Sequence, residues 1–414
     1  MKKFTSFALG LLISLSIMCA PMENSSYSSP LIGISVSANQ TAPAFPLPYQ
    51  YRELNREEQK FYNAIRNAII DCKQTVKVNG QLSDSGFQRV MEIIFNYDVY
   101  TFDAGKIEYS YYDTRTRSTD YEFKITYNNH YSKATYDKML AEIDKVADRV
   151  ISQFKPGMSQ YARIKHIHDY IAQTTSYTLE GKNIDNAYGA LVSRKAKCDG
   201  ISHAFSYIAA KAGFTAVNVI YEPPRNQVGH MWNKIRFGNN WYVIDVTNNI
   251  DQFFNNSIRY DYFMISDSDF NKLFKEQARV KSPAATDSSR SYFHTQRLRA
   301  DSVDAAKTLI RNEMLKTVRN KGTTFSIQCS SREVYNAAVR DLFGSNSEMF
   351  DIIDVVSERA SVKLADTVNF VNNDPFYTIQ VCIFYPNTSI SMYFKEPKDI
   401  DAGTRQNLSQ FGIK

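Results

Sequence analysis

Cysteine is scarce: the 414 residues hold five, at Cys19, Cys72, Cys198, Cys329 and Cys382. So few exclude a small fold built on disulfides. Removal of a leader would leave four. With Cys198 free for chemistry, at most one bridge remains, and Cys329 and Cys382 either pair or stay as buried thiols in apolar strand-like runs. An excess of one charge is also lacking. The net charge of +6 comes from 49 Lys and Arg against 43 Asp and Glu, spread along the chain. It would tolerate an anionic wall, yet it reads first as an ordinary solvated surface. No basic cluster asks for nucleic acid. Beyond the N-terminus there is no apolar run long enough to span a bilayer. Metal patterns are missing too. His166 and His168 lie two apart on a predicted helix, point to different sides and have no third ligand at a zinc spacing. No alternation of Asp and Asn ahead of a Gly and a later Glu marks a calcium loop. Neither a metal nor a cofactor is expected.

What is present begins with a leader. Met1-Lys2-Lys3 is basic, and Phe7 to Met18 is apolar but too short to anchor a helix in a membrane. Val36-Ser37-Ala38 reads as a small-residue cleavage site, giving a mature chain from Asn39. Lipid attachment at Cys19 is the alternative, although Met18 stands where such signals carry a small residue. The pattern is that of a bacterial Sec signal and predicts a secreted or cell-surface protein. The remaining length holds two or three domains, and a hydrophobic content of 43% suffices for real cores.

The chain is organised around Ala190 to Asp251. After Lys197-Cys198-Asp199-Gly200, apolar residues recur at Ile201, Ala204, Phe205, Ile208, Ala209 and Ala212, a helical spacing, and Gly213 stands where a C-terminal cap belongs. Cys198 therefore opens a helix, where free N–H groups and the helix dipole favour a thiolate. Val217, Val219 and Tyr221 alternate as a strand. Glu222 to Asn226 reads as a loop. His230 to Phe237 and Trp241 to Val246 read as two strands joined by a turn at Gly238-Asn239-Asn240. Such a hairpin sets His230 beside Asp245. A thiol, an imidazole and a carboxylate are the parts of an activated-cysteine acyl-transfer site, with the carboxylate holding one ring nitrogen and the thiol facing the other. His203, five residues after Cys198, reads as helix surface or a neighbour of the site rather than its base.

These residues resemble the transglutaminase-like superfamily. The likeness lies in Cys198-Asp199-Gly200, in His230-Met231-Trp232-Asn233 and in Trp241 to Thr247. It extends to Ile167 to Ile171, Ser176-Tyr177, Ala187 to Leu191 and Tyr262 to Asp267, so it covers about Tyr161 to Asp267. After the aspartate the family commonly shows Pro, Thr, Trp; here the residues are Val246, Thr247, Asn248. The resemblance implies an α+β, papain-like core, with the cysteine helix packed on an antiparallel sheet bearing His230 and Asp245. It also implies catalytic roles for Cys198, His230 and Asp245, and makes Tyr188 a candidate for the oxyanion site or the cleft.

The flanks complete the plan. Asn55 and Glu58 form a capping-box start for a helix lined by Phe61, Ile65, Ala68, Ile69 and Cys72. A second helix follows with Phe87, Val90, Met91, Ile94 and Phe95. Ile107 to Tyr112 and Tyr121 to Tyr127 predict a hairpin, and Tyr136 to Ile151 a helix ended by Pro156-Gly157. The expected division is a leader over 1–38, an N-terminal α/β region over 39–155, the transglutaminase-like domain over 156–280, a linker over 281–299 and a small C-terminal α/β domain over 300–414. In the last, Val303 to Met314 predict a helix and Thr324 to Cys329 a strand. A helix is expected from Ser330-Ser331 to about Phe343, and a strand over Tyr377 to Tyr385. The expected activity is attack of a thiolate on an amide of a protein or cell-wall peptide, through a thioester, as transamidase or hydrolase. The alternative is an inactive module of the same fold that binds a surface partner or has a structural role. Nothing in the sequence fixes an oligomeric state.

Overall fold

The computed structural model describes residues 46–113, 119–129, 132–221, 229–251, 257–271, 276, 278–343, 348–365, 368–373, 376–383 and 385. The expected leader with its cleavage site, Cys19 and the loop at 222–226 lie outside these residues. The chain divides into two compact units. One runs to Thr247 and resumes over Leu273–Thr286; the other comprises Asn248–Lys272 and the chain from Asp287. The N-terminal α/β region and the expected catalytic stretch thus share one unit. The chain departs from that unit after Thr247 and comes back to it before leaving again at 287.

The first unit opens with α1 (Arg56–Ile70). Asn55 accepts the Glu58 N–H while the Glu58 side chain accepts the Asn55 N–H, a full capping box. β1 (Thr75–Gly80), α2 (Asp84–Glu92), β2 (Ala104–Asp113) and β3 (Thr119–Tyr127) follow. The strands form an antiparallel sheet in the order β1-β3-β2. The helix predicted through Phe95 ends its α-helical part at Glu92 and widens into a π-helical turn over Ile93–Tyr97. Phe61, Phe87, Val90, Ile94 and Phe123 belong to the core between these elements.

α3 (Lys133–Ser152) and α4 (Gln160–Thr174) lead to the short parallel pair β4 (Ser176–Tyr177) and β5 (Lys195–Ala196). Then come α5 (Cys198–Lys211), β6 (Ala216–Tyr221), β7 (His230–Phe237) and β8 (Asn240–Ile244). β6, β7 and β8 pair antiparallel in that order. α5 lies on β6 and β7, so the core is a helix on an antiparallel sheet, the α+β architecture expected. α5 is buried from Cys198 to Ala209, which requires its polar side chains to find partners inside. They find them in the sheet. Asn233 Nδ2 donates to the Ser202 carbonyl at 3.0 Å and to Asn218 Oδ1 at 2.9 Å. Ser206 Oγ donates to Asn218 Oδ1 at 2.6 Å, and Ser202 Oγ to the Met231 carbonyl at 3.0 Å. Asn218 and Asn233 are cross-strand partners. This buried network fixes the position of α5 along the sheet.

In the second unit, α6 is a one-turn helix at Val246–Asn249 that begins in the first unit. β9 (Phe263–Ile265), α7 (Asp267–Phe270), α8 (Tyr292–Thr295) and β10 (Arg299–Ala300) precede α9 (Val303–Arg319). β11 (Thr324–Cys329), α10 (Arg332–Phe343), α11 (Met349–Ala360), β12 (Val368–Asn373) and β13 (Thr378–Ile383) complete it. Its sheet has the order β10-β11-β13-β12. Register sets Cys382 opposite Thr324, at the far end of β11 from Cys329. Cys72, Cys198, Cys329 and Cys382 are all free thiols.

Candidate active site

Cys198 is the first residue of α5, and Lys197 is its N-cap in extended conformation. The first turn of the helix fits closely against the preceding loop. A Cβ at Gly200 would overlap the carbonyl oxygen of Ile184 and come within 3.0 Å of the Asn186 carbonyl, so only glycine allows this approach. The Lys197 N–H donates to that same Ile184 carbonyl at 2.8 Å, fixing the residue before Cys198. The opening of the helix is therefore set by contacts on both sides of the cysteine.

His230 begins β7 and Asp245 follows the last residue of β8. The register pairs Asn233 with Ile244, which brings the ends of these strands together. His230 Nε2 lies 2.6 Å from Asp245 Oδ2. Asp245 is wholly buried and the His230 side chain is 9% exposed. The second ring nitrogen is Nδ1, and the Cys198 thiol lies close enough to bear on the His230 charge. Burial alone would lower the His230 pKa. The Asp245 charge, its hydrogen bond and the Cys198 contact outweigh burial and push it up to about 10. The imidazolium is the favoured form at neutral pH. Trp232 lies 5.9 Å from the His230 ring, nearly parallel to it. Met231, the next residue along the strand, packs in one cluster with Cys198, Ile220 and Ala278. The three predicted residues are thus brought to one place from three elements of one unit.

The remaining candidates take other positions. The Tyr188 hydroxyl donates to Glu142 of α3 at 2.7 Å. His203 is buried and not on the helix surface; its two ring nitrogens face the carbonyl oxygens of Asp185, at 3.3 Å, and Asn96, at 3.1 Å. His168 is fully buried with Nδ1 2.9 Å from Asp169, while His166 meets the ring of Phe154 edge-on. Asp199, next to Cys198, is buried, which raises its pKa to about 6 against the opposing pull of Lys197, whose Nζ is 3.1 Å away. The sequence reading missed the Asn218–Asn233–Ser206 network. Its signal was a pair of asparagines standing at otherwise apolar strand positions.

Residues 145–246 match the family profile of the transglutaminase-like superfamily. The chain carries a transglutaminase-like domain. The matched residues of this transglutaminase-like domain include Cys198, His230 and Asp245. Members of this superfamily are often cysteine-dependent acyltransferases or proteases. Among solved structures, the chain is similar to a TGase crystal structure at 16% identity and a TM-score of 0.24, over 49% of this chain and 56% of that one. It is also similar to the periplasmic domain of TgpA from Pseudomonas aeruginosa, at 14% identity and a TM-score of 0.21, over 42% of this chain and 69% of that one. The chain thus spans little more than half of the TGase. No curated protein sequence matches it. Among the described residues, no helix is long and apolar enough to cross a membrane.

Proposed function

We propose that this protein is an exported, cysteine-dependent acyl-transfer enzyme acting on amide groups of protein or cell-wall peptides. The observation that carries the reading is the His230–Asp245 contact of 2.6 Å beside the Cys198 thiol at a helix start. Cys198 gives its proton to His230, and the two rest as a thiolate–imidazolium pair. The thiolate attacks an amide carbonyl. A main-chain N–H at the start of α5 stabilises the oxyanion; with its hydroxyl on Glu142, Tyr188 is left to shape the cleft. His230 protonates the leaving amine, leaving a thioester on Cys198. Asp245 keeps the imidazole oriented and its charge balanced throughout. Attack by an amine on the thioester gives transamidation; attack by water gives hydrolysis.

The test is alkylation of Cys198 by iodoacetamide across pH, with His230→Ala alongside. The other thiols are suitable silent controls. Burial raises the pKa of Cys72 and pushes Cys329 up to about 11 and Cys382 to about 12. Fast reaction of Cys198 well below pH 8, lost in His230→Ala, is the expected result. An ordinary thiol profile in both would sink the enzyme reading and favour the inactive, partner-binding module. Export is tested separately by N-terminal sequencing of the mature chain, expected to begin at Asn39.

A further inference from the structure

The segment that returns to the first unit, Leu273–Thr286, forms neither helix nor strand among its described residues. It is nevertheless tied down residue by residue. Ala278 is 2% exposed and packs in one cluster with Cys198, Ile220 and Met231. Two residues on, Val280 is buried in the core of the N-terminal region. Backbone without a ladder needs other acceptors. The N–H groups of Arg279 and Val280 donate to the carboxylate of Glu92, at the end of α2, at 3.1 and 3.0 Å. The Tyr97 hydroxyl donates to the same group at 3.0 Å. Further along, Glu276 accepts from the N–H and the hydroxyl of Ser282 at 2.8 and 2.7 Å. The buried Lys234 donates to the Pro283 carbonyl at 3.0 Å. Glu92 itself is buried, which raises its pKa, while the N–H groups of Val280 and Arg279 pull the other way. A buried carboxylate is costly unless its lone pairs are filled. Here the segment fills them, and the carboxylate in turn holds the segment.

We propose that this returning segment determines what reaches the Cys198 thiol, with Ala278 as the wall beside the nucleophile and Glu92 as the positioning residue that holds the wall in place. The inference rests on Cys198 being the nucleophile. A methyl group is the smallest apolar side chain, and Ala278 is buried in the cluster that holds Cys198, so any larger residue at 278 must push into the surroundings of the thiol. Glu92 acts on the thiol through the segment: besides the Tyr97 hydroxyl it accepts from Arg279 and Val280, directly after Ala278.

The test compares a small reagent, iodoacetamide, with a bulky one, N-phenylmaleimide, on Cys198 of the full chain. Ala278→Leu is expected to slow the bulky reagent at least tenfold and the small one much less. Glu92→Gln, which keeps the shape but loses the charge that holds two N–H groups, is expected to speed the bulky reagent several-fold. Ratios within twofold of wild type in both variants overturn the proposal. A changed ratio in Ala278→Leu with none in a folded Glu92→Gln overturns the anchoring role alone. If Glu92→Gln fails to fold, Ala278→Leu still decides the wall. Failure of the enzyme reading looks different, because it shows in the wild type as a slow thiol indifferent to His230→Ala, whatever the ratio between reagents.

Discussion

α5 and α9 are both helices on a sheet, yet they meet their surroundings in opposite ways. α9 fully buries one residue per turn, at Ala306, Ile310, Met314 and Val318, with Ala305, Leu309 and Leu315 half-buried beside them and Asp304, Thr308, Asn312 and Lys316 exposed. α5 is buried on all sides from Cys198 to Ala209, with Asp199, Ser202, His203 and Ser206 among the residues inside. A peripheral helix is held by an apolar stripe and little else. A helix that carries Cys198 into the interior must also satisfy every polar group it brings along. The difference therefore predicts where each helix is vulnerable: α9 to loss of volume, α5 to loss of a partner or to any added atom.

The largest expected effect is on the pH dependence of stability at the α5 site. The folded-state pKa of His230, about 10, lies above its value in an unfolded chain, about 6.5. A raised histidine pKa contributes stability that is complete below the unfolded value and is lost as pH rises through the folded one. The stability advantage of wild type over His230→Gln should therefore shrink steadily between pH 6.5 and 10 in denaturant titrations. An advantage that stays flat across that window would show that the imidazolium is not held by Asp245 and Cys198. α9 carries no histidine. There the sensitive position is Met314, fully buried in the apolar stripe. Met314→Ala should cost about 2–5 kcal/mol by cavity formation. It should leave the Cys198 alkylation profile unchanged below its own unfolding transition. A shifted profile would mean that the two helices are not independent.

A smaller cost is expected where α5 tolerates no addition. A Cβ at Gly200 runs into the Ile184 and Asn186 carbonyls, which are backbone and cannot swing away as a side chain could. Gly200→Ala should destabilise by about 1–3 kcal/mol, the usual range for overpacking, and should slow Cys198 alkylation by moving the helix start. Calorimetry and the alkylation rate together check this. An unchanged rate would place the thiol's geometry under the control of the sheet and not of the loop.

The same contrast explains what could be read in advance. Apolar periodicity located α9 and β11 and, together with cap residues, α1, because those elements expose one face and bury another. The three chemical residues were legible because their order and the turn at Gly238 constrain the hairpin. β1 was missed: its pattern, from Thr75 to Gly80, is mostly polar, with only Val78 and Gly80 buried. α11 was missed as well, although its apolar residues are plain once its start at Met349 is known. His203 was read as surface or neighbour because a polar helix residue is usually exposed. Residues 281–286 of the returning segment were read as the start of a linker and 278–280 as the end of the transglutaminase-like domain, but nothing in Arg279 or Val280 indicates that Glu92, far away in sequence, accepts their N–H groups. Long-range polar partners leave no periodic trace.

The smallest expected effects test that last point with two polar residues that look alike in sequence. Lys316 lies on the outer face of α9 and pairs with Glu313 at 3.0 Å, largely in solvent. Lys316→Ala should change stability by no more than about 0.5 kcal/mol, the range for surface substitutions. Ser206 lies on α5, is 8% exposed and donates to Asn218 Oδ1 at 2.6 Å. Ser206→Ala leaves that oxygen with one donor fewer in the interior and should cost about 1–3 kcal/mol. Both changes remove one polar group from a helix, and hydropathy ranks the lysine as the larger loss. Denaturant midpoints that put the serine first would show that partners, rather than polarity, decide the cost. Midpoints that put the lysine first, or treat the two alike, would mean that the network under α5 adds little to holding the nucleophile's helix on its sheet.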